Sequence, residues 1–365
     1  MSDLIFEQMA TYDYENLFFF QEKTLGLRAI IAIHDTTLGP AAGGIRMWPY
    51  ASEGEAVRDV LRLARGMTYK CAAAGAAYGG GKCVVFGDPK RDKTEARLRA
   101  LARFINRLNG LFITGIDVGT NLDDMVVMRE ESPYIVTLPE SWGGPGDSSQ
   151  ATAYGVVQGM RACLNEVYGS PDLRDRTVAV QGVGAVGGHA VQYLVEAGAM
   201  VTVADIDEER ARTVAERYHT HVVAPQEIDR LNVDIYSPCA MGAVLNEITI
   251  PELRCKIVCG SANNQLGEAR HGDMLQERGI LYAPDYIVNA GGLLSGLDSL
   301  NPGGFNRQRM MEKVARLYNA MQHVIAISKE QGIPTYRAAD VLAEQRIAEV
   351  GQAKRLATSG YRKDQ

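Results

Sequence analysis

The chain has 365 residues, of which 46% are hydrophobic and 22% are charged, and its formal net charge is -6. This length predicts two domains, because a single hydrophobic core seldom grows so large. The acidic balance argues against a general surface for nucleic acid or for an anionic membrane. No apolar run approaches the roughly 20 residues of a membrane-spanning helix, so we expect no membrane partner.

The first third of the chain alternates strand-like and helix-like patterns. Residues 27–33 are apolar and β-branched and predict a strand, whereas residues 53–74 place apolar side chains at the three-and-four spacing of one helix face. Short strands are predicted at 84–86 and 111–114, with a helix from about 94 to 108 between them. The pattern is typical of an α/β domain.

A passage rich in glycine, serine and proline, residues 139–150, has the composition of a linker. After it, strands and helices alternate regularly, which predicts a parallel, doubly wound sheet. The predicted elements are a helix at 151–168, strands at 177–181, 200–205, 233–237, 256–259 and 280–283, and helices at 187–197 and 208–219.

The C-terminal tail, residues 307–357, is predicted to be almost wholly helical, with one break at 332–334. These helices can return to pack on the first domain. We therefore predict one domain formed by residues 1–140 with about 331–365, and a second domain at 141–330.

The six cysteines are scattered along the chain and none forms a C-x-x-C pair. They are Cys71, Cys83, Cys163, Cys239, Cys255 and Cys259. We expect free thiols with neither a metal nor disulfides, which suits the reducing cytoplasm.

The segment "VAVQGVGAVGGHA" contains Gly182-x-Gly184-x-x-Gly187 directly after a predicted strand and at the start of a predicted helix. In a dinucleotide site the first glycine makes the tight turn, the second lets the backbone approach the pyrophosphate, and the third allows close packing of helix on strand. The alternative is a glycine-rich turn that binds no ligand.

Asp205 ends the next predicted strand, about 20 residues further on, where a dinucleotide site has its ribose-binding acid. This carboxylate favours the free 2′-hydroxyl of NAD over the 2′-phosphate of NADP. Arg210 and Arg212 stand nearby, and they leave some use of NADP open.

Two lysines and an aspartate occur in apolar or glycine-rich surroundings in the first domain. Lys82 follows the glycines of "YGGGKCVVF", Lys70 lies among small residues on a predicted helix, and Asp117 ends a strand. A lysine with a lowered pKa beside an aspartate forms an acid-base pair near neutral pH, and a second lysine can bind a carboxylate. The alternatives are two surface lysines and an N-cap role for Asp117 before the helix near Asn121.

Asn263 and Asn264 follow the predicted strand at 256–259, at the edge of a parallel sheet where ligands bind. An asparagine pair in a loop equally fits a turn. Both interpretations stay open from the sequence.

Taken together, these segments resemble the leucine, phenylalanine and valine dehydrogenases, within the wider glutamate dehydrogenase superfamily. The matching segments run in family order along nearly the whole chain and are "IIAIHDTTLGPAAGGIRMWPY", "LRLARGMTYKCAAAG", "GGGKCVV", "ITGIDVGTN", "ATAYGV", "VAVQGVGAVGG", "SPCAMG", "GSANNQL" and "ILYAPDYIVNAGG".

The resemblance implies a role for each residue of the acid-base group. Lys70, helped by Asn263, would bind the substrate carboxylate. Lys82 would be the catalytic lysine that activates water, and Asp117 would assist its proton transfers. No metal is implied.

For the cofactor, the resemblance implies that Thr152, Ala240 and Asn263 hold the nicotinamide and that Asp205 holds the adenosine ribose. The second domain would then be a Rossmann-type NAD-binding domain, and the first would bind the substrate and form the oligomer.

For the substrate side chain, the resemblance implies that Gly43 and Gly44 line the amino-acid site with backbone. Leucine dehydrogenases usually carry a larger residue at Ala42 and at Gly115, whereas Leu293 and Gly115 are more like phenylalanine-preferring relatives. We expect the small residues at 42 and 115 to enlarge the pocket and Leu293 to refill part of it.

The sequence therefore predicts a cytoplasmic enzyme that uses NAD to deaminate a hydrophobic L-amino acid, leucine or another branched-chain residue, reversibly to the 2-oxo acid and ammonia. A preference for phenylalanine or another aromatic amino acid is one alternative, and a non-catalytic sensor of NAD or amino acid is another. A homo-oligomer, for which an octamer is one assembly, is implied by the resemblance.

Overall fold

The computed structural model describes residues 5–359, with side chains as far as Ala353. The chain forms two compact units. Unit 1 contains the described residues up to Asp147, the segment Ser295–Arg307 and the described residues from Ala343 onwards. Unit 2 contains Ser148–Leu294 and Gln308–Leu342.

Unit 1 begins with a short helix and is built on five strands with three further helices. Its first elements are α1 (Ile5–Ala10), β1 (Asn16–Glu22), β2 (Leu27–Asp35), β3 (Ala41–Trp48), α2 (Glu53–Ala73), β4 (Gly79–Phe86), α3 (Glu95–Arg107), β5 (Phe112–Ile116) and α4 (Leu122–Arg129).

The five strands form one mixed sheet in the order β1-β2-β4-β3-β5. β2 is antiparallel to its two neighbours, whereas β3 runs parallel to both β4 and β5. One core, which includes Ile45 and Leu101, brings residues of the sheet together with those of α3 and α4, and a second core, which includes Ile30 and Val60, does the same with α2. Both faces of this sheet are therefore covered by helices.

The helix α2 starts at Ser52, whose side chain accepts a hydrogen bond from the backbone N–H of Glu55 at 3.1 Å. The Glu55 carboxylate accepts in return from the N–H of Ala51. These contacts satisfy backbone donors that the first turn of a helix leaves without partners.

Two glycine-rich segments lie inside strands that the sequence did not predict. β4 starts at Gly79, five residues before the predicted strand, and β3 includes most of the small-residue segment 39–44. A Cβ added at Gly80 would lie 2.1 Å from the backbone nitrogen of Thr68 on α2, and one at Gly81 would lie 2.9 Å from the Phe112 ring. Close packing therefore explains glycines that suggested ligand approach in the sequence.

Unit 2 alternates strands and helices, and its elements continue into the C-terminal tail. They are α5 (Ser149–Tyr168), β6 (Thr177–Gln181), α6 (Ala185–Glu196), β7 (Met200–Ala204), α7 (Glu208–Tyr218), β8 (His221–Val222), β9 (Ile235–Pro238), β10 (Ile257–Val258), α8 (Arg270–Glu277), β11 (Leu281–Tyr282), α9 (Asp285–Val288), α10 (Gly291–Asp298), α11 (Arg307–Ala315), α12 (Leu317–Gln331) and α13 (Thr335–Ser359).

The six strands of unit 2 form a parallel sheet in the order β11-β10-β9-β6-β7-β8. This is the Rossmann strand order, in which the direction of winding reverses between β6 and β9. The predicted fold class, α/β with a doubly wound parallel sheet, is confirmed.

The predicted break in the C-terminal helices is confirmed at Gly332, which ends α12 with φ +66°. The last part of α13, from Ala343 onwards, belongs to unit 1. There the Tyr69 hydroxyl donates to Glu344 at 2.7 Å, and Arg346 donates to the carbonyls of Ala72 and Ala76. The end of α13 is thus attached to the end of α2, which carries Lys70.

All six cysteines lie within the described residues and are free thiols, as predicted. Over the same residues, no helix is both long enough and apolar enough to cross a membrane, and no group of three potential metal-ligating His, Cys, Asp or Glu side chains comes together.

Two glycine substitutions test the packing of α2 on β4. Gly80→Ala should lower the free energy of unfolding by about 1–3 kcal/mol, because the new methyl group meets backbone atoms that cannot move aside cheaply. Gly66→Ala is the matched control: Gly66 lies exposed within α2, and no atom stands within 4 Å of an added Cβ. Alanine there should stabilise by roughly 0.5–1 kcal/mol. Thermal unfolding at equal protein concentration compares them, and equal midpoints for the two variants would contradict this packing.

Candidate active site

Lys82 lies in the middle of β4, and only 6% of its side chain is exposed. Its partners across the sheet are Ala32 of β2 on one side and the central residues of β3 on the other. The Lys82 Nζ atom lies 3.2 Å from Oδ2 of Asp117. The two residues that the sequence singled out for acid-base chemistry are therefore in direct contact.

Asp117 stands directly after β5, where Thr120 shapes the backbone. The Thr120 hydroxyl accepts from the N–H of Asp117 at 3.0 Å and lies 3.1 Å from the carbonyl oxygen of Ile45. The helix that follows is capped by Asn121, which forms a capping box with Asp124. The alternative that Asp117 is an N-cap is therefore wrong.

Arg46, on β3, contacts the same carboxylate oxygen as Lys82. Its Nε donates to Oδ2 of Asp117 at 2.9 Å, and its Nη1 donates to Oδ2 of Asp59 at 3.1 Å. Asp59, on α2, also accepts from the Tyr50 hydroxyl at 2.8 Å. The lysine and aspartate thus belong to a network that also includes Arg46, Asp59 and Tyr50.

The charges in this network oppose the cost of burial. Burial lowers the pKa of Lys82, and the positive charge of Arg46 lowers it further, although Asp117 acts in the other direction. Burial alone would raise the pKa of Asp117, but Lys82 and Arg46 together hold it below its ordinary value. The site therefore favours an ionised aspartate beside a lysine that loses its proton more readily than usual.

Other predicted substrate residues lie on the neighbouring strands and on α2. Lys70 is half-buried in the last turn of α2, and Ala42 is fully buried on β3 opposite Gly80. A Cβ at Gly43 would lie 1.8 Å from the carbonyl oxygen of Gly81, and one at Gly44 would lie 2.8 Å from the Asp117 Cβ. These two positions on β3 accept only glycine.

Gly115, on β5, does not leave the free space that the sequence predicted. A Cβ added there would lie 2.1 Å from the Thr137 hydroxyl oxygen. Thr137 itself has φ +63°, a left-handed conformation that β-branched residues rarely adopt. The expectation that the missing methyl group at 115 enlarges a pocket is wrong, because the Thr137 side chain already fills that place.

In unit 2, the three motif glycines differ in their surroundings. Gly182 directly follows β6 with φ +91°, and a Cβ at Gly187 would lie 1.9 Å from the Gly182 carbonyl oxygen. No atom lies within 4 Å of a Cβ added at Gly184, which is the N-cap residue of α6. The turn, the tight packing and the open backbone face expected for a dinucleotide turn are all present.

Asp205 is buried immediately after β7 and organises the same turn. Its Oδ2 accepts from the backbone N–H of Val183 at 2.8 Å, and its Oδ1 accepts from that of Asp207 at 3.0 Å. Arg210 Nη1 lies 3.6 Å from Asp205, and its Nη2 lies 2.9 Å from Asp207. Arg212, in contrast, pairs with Glu208 on α7.

The two asparagines after β10, Asn263 and Asn264, have different roles. Asn264 has φ +52° and forms the turn, as one interpretation proposed. The exposed Asn263 accepts from the Asn289 amide at 2.9 Å, and Asn289 also donates to the Ser261 carbonyl. Because Asn289 occupies its acceptor, the Asn263 amide presents its NH₂ donors elsewhere.

The remaining predicted residues of unit 2 lie near the ends of its strands and helices. Ala240 is exposed after β9, and its Cβ is 2.5 Å from the position of a Cβ on Gly182. Thr152, in the first turn of α5, lies 2.9 Å from the position of a Cβ on Gly292. The half-buried Leu293 follows on α10.

The sequence did not point to Asp59, Tyr50, Thr137 or Asn289. Arg46 was visible beside the small-residue segment, but its two carboxylate partners lie 13 and 71 positions away along the chain. The only available signal for Asn289 was its place in the segment "YIVNAGG".

A Rossmann sheet with an open glycine turn at its switch point fits a dinucleotide-binding enzyme. The other unit carries a buried lysine beside an aspartate, which suits acid-base chemistry on a substrate. The open N-terminus of α6 and the Asp205 carboxylate fit a nicotinamide dinucleotide, whose phosphates and ribose need these partners.

Comparison with known proteins agrees with this class. The family profile described as Glu/Leu/Phe/Val dehydrogenase, dimerisation domain, matches residues 19–134, and the profile described as Glutamate/Leucine/Phenylalanine/Valine dehydrogenase matches residues 143–209 and 202–355. The chain therefore belongs to the glutamate, leucine, phenylalanine and valine dehydrogenase family. It is an amino-acid dehydrogenase and uses a nicotinamide cofactor.

Individual relatives cover almost the whole chain. Leucine dehydrogenase of Geobacillus stearothermophilus is 51% identical over 96% of this chain and 95% of its own. Phenylalanine dehydrogenase of Thermoactinomyces intermedius is 47% identical over 96% of both chains. The crystal structure of L-tryptophan dehydrogenase from Nostoc punctiforme matches 95% of this chain and 99% of its own, with a TM-score of 0.85 and 41% identity.

A double-mutant cycle tests whether Thr137 fills the space beside Gly115. Gly115→Ala alone should lower the free energy of unfolding by about 1–3 kcal/mol, because its methyl group meets the Thr137 hydroxyl. In a Thr137→Gly background the same substitution should cost much less, because the obstructing side chain is gone. Thermal unfolding of the four proteins measures the coupling. Additive effects of the two substitutions would refute the assignment.

Proposed function

We propose that the protein catalyses the reversible, NAD-dependent oxidative deamination of a hydrophobic L-amino acid, leucine or another branched-chain residue, to the 2-oxo acid and ammonia. The observation that carries the proposal is the buried contact of Lys82 with Asp117 at 3.2 Å. An amine held out of water beside a carboxylate is suited to proton transfer near neutral pH.

The proposed mechanism uses unit 1 for the amino acid. Lys70 binds the substrate carboxylate, and the backbone at Gly43 and Gly44 lines the amino-acid site, as the family resemblance implies. When bound, the nicotinamide ring supplies the acceptor for the hydride of the substrate Cα. Lys82 then takes a proton from water as the water adds to the imine carbon, and the carbinolamine collapses to the 2-oxo acid and ammonia. No metal takes part.

Asp117 has two tasks in this proposal. It stays ionised, so its charge stabilises the cationic imine and the protonated form of Lys82. As the nitrogen leaves, Lys82, which was protonated in the preceding step, returns the proton beside the ionised Asp117. A group that exchanges protons in both directions suits a reversible reaction.

For the cofactor, we propose NAD, with the pyrophosphate at the N-terminus of α6 and the ribose on Asp205. Gly182, Gly184 and Gly187 form the phosphate turn. Thr152, Ala240 and Asn263 would contact the nicotinamide. The buried Asp205 carboxylate disfavours a 2′-phosphate, whereas Arg210 beside it would favour one only if that carboxylate lost its charge.

For the side chain of the substrate, we propose an aliphatic preference. Ala42 is small and buried, but Thr137 fills the place beside Gly115. Leu293, which is half-buried on α10, is added to these residues from the family resemblance. A methylene in an apolar pocket contributes only about 1–3 kcal/mol to discrimination, so neighbouring hydrophobic amino acids should also react.

The domain roles and the assembly form part of the proposal. Unit 1 would bind substrate and form a homo-oligomer, for which an octamer is one arrangement, and unit 2 would bind NAD. An exposed Phe19 on the edge strand β1 and an exposed Trp48 on β3 support contacts through unit 1. The six free thiols suit a cytoplasmic location.

Steady-state absorbance of NADH with L-Leu, L-Val, L-Phe, L-Trp and L-Glu tests the activity and the preference. Turnover with NAD should be highest for an aliphatic substrate. Lys82→Met should reduce kcat by at least about 100-fold, since general-base catalysis is worth that much. Lys329→Met, at a surface pair with Glu166, is the control and should leave kcat unchanged. Full turnover in Lys82→Met would overturn the mechanism.

The cofactor preference is tested with Asp205→Asn, which keeps the shape of the side chain and removes its charge. Loss of a charge-assisted hydrogen bond of about 1.5–3 kcal/mol should lower the NAD to NADP ratio of kcat/KM by roughly 10- to 100-fold. Adding Arg210→Ala should abolish any gain with NADP, whereas adding Arg212→Ala should not. A ratio unchanged by Asp205→Asn would remove Asp205 from cofactor selection.

A further inference from the structure

We propose that Arg46 is a positioning residue for the deamination reaction, holding the Asp117 carboxylate against Lys82 while Asp59 holds its own guanidinium in place. This inference rests on the proposed function of Lys82 and Asp117. It assigns a task to three side chains that touch neither substrate nor cofactor in that mechanism: Arg46, Asp59 and Tyr50.

The geometry of the arginine is the first argument. Two different nitrogens of one guanidinium, Nε and Nη1, reach two carboxylates, Asp117 at 2.9 Å and Asp59 at 3.1 Å. A planar guanidinium with fixed N–H directions can orient both groups at once, which a lysine cannot do. The rotation of the Asp117 carboxylate is thereby restricted.

Arg46 and Lys82 share one oxygen atom of Asp117. Arg46 and Lys82 both contact Oδ2 of Asp117, so the arginine determines where the partner of the lysine lies. The backbone of Asp117 is fixed separately by Thr120, which leaves the side chain to Arg46. Small displacements of a catalytic group are costly, since about 1 Å can reduce a rate 100-fold.

Asp59, which binds Arg46, is itself held by further hydrogen bonds. Asp59 accepts from Tyr50 at 2.8 Å on Oδ2 and from Arg62 at 2.8 Å on Oδ1, in addition to Arg46. The side chains of Arg46 and Asp59 are 21% and 18% exposed, so both are largely shielded from solvent. Because its guanidinium binds Asp117 through Nε and Asp59 through Nη1, Arg46 is a rigid support and not a mobile surface charge.

The charges around Lys82 come from three elements. Asp117 follows β5, Arg46 lies on β3 and Asp59 lies on α2. Arg46 lowers the pKa of Lys82, whereas Asp117 and Asp59 raise it. Substituting the arginine should therefore change the pH at which Lys82 loses its proton, which a purely structural role would not do.

The variants are chosen so that folding does not decide the result. A surface cavity of about 520 Å³ adjoins Arg46, so water can occupy the space that a shorter side chain leaves. Arg58→Gln is the matched control, because Arg58 is an exposed arginine that lines the same cavity and lies on α2.

The experiment compares the pH dependence of kcat/KM for deamination in the wild type, Arg46→Gln, Arg46→Lys, Asp59→Asn and Arg58→Gln. Because Lys82 must be neutral to act as a base, the acidic limb should move to higher pH in Arg46→Gln and to lower pH in Asp59→Asn. Arg46→Lys should keep the position of the limb but lose about 10- to 100-fold in kcat, since it keeps charge and loses orientation. Arg58→Gln should match the wild type.

Lys82→Met separates the two proposals. If Lys82→Met is inactive but Arg46→Gln and Arg46→Lys both match the wild type in kcat and in the acidic limb, the role of Arg46 is overturned and the proposed function stands. If Lys82→Met keeps full activity, the proposed mechanism fails, and if the wild type turns over none of the amino acids tested, the proposed function itself fails. Should Arg46→Gln not fold, Arg46→Lys and Asp59→Asn decide, and wild-type profiles for both would overturn the inference.

Discussion

Burial of the Lys82 amine is the constraint on which the rest of unit 1 depends. Moving an ammonium out of water costs several kcal/mol unless nearby groups compensate. The sheet order places β3 between β4 and β5, with all three strands parallel, so residues at matching positions along them become neighbours. Arg46 lies on β3, Lys82 lies in the middle of β4, and Asp117 directly follows β5. The compensation for one buried charge is thus built into the strand order.

The same constraint explains the glycines around this lysine. The helix α2 must lie directly on β4 to shield the amine and to bring Asp59 towards Arg46, and Gly80 allows that approach. Unit 2 uses the identical device at Gly187, where helix α6 lies against the turn after β6. Of the three motif glycines, Gly182, Gly184 and Gly187, only Gly184 has no atom within 4 Å of an added Cβ. Glycine therefore serves packing at most of these positions and ligand access at few.

The sequence predicted the regular elements of unit 2 closely, with β6 matching its predicted range of 177–181. Alternation of apolar strands and amphipathic helices depends only on residues close together in the chain, so it can be recognised in the sequence. The strand β3 and the start of β4 were not predicted because glycine is depleted in strands, and only the packing partner of Gly80, Thr68 on α2, explains its presence there. The contact of Lys82 with Asp117 was predicted from residue type and the family resemblance.

The Arg46 network and the conformation of Thr137 could not be predicted, for different reasons. The network joins strands and a helix through side-chain geometry that no spacing rule describes. Thr137 adopts a backbone conformation that its own residue type disfavours by about 1–3 kcal/mol, so propensity points the wrong way. Such a conformation persists only where the surrounding structure enforces it.

Asp205 has a consequence for how this enzyme could change its coenzyme over evolutionary time. In the proposed cofactor site its carboxylate discriminates between coenzymes, and the same carboxylate accepts the backbone N–H of Val183 in the turn after β6. A lineage that replaced it with a small residue would gain tolerance for a second phosphate and simultaneously lose the acceptor that keeps the turn in shape. The gain in phosphate tolerance and the loss of the acceptor are linked in one substitution. A second substitution that restores an acceptor for the Val183 N–H would therefore have to precede the loss of Asp205 or accompany it. The coenzyme preference should therefore change slowly in evolution, because one carboxylate serves both the coenzyme and the turn.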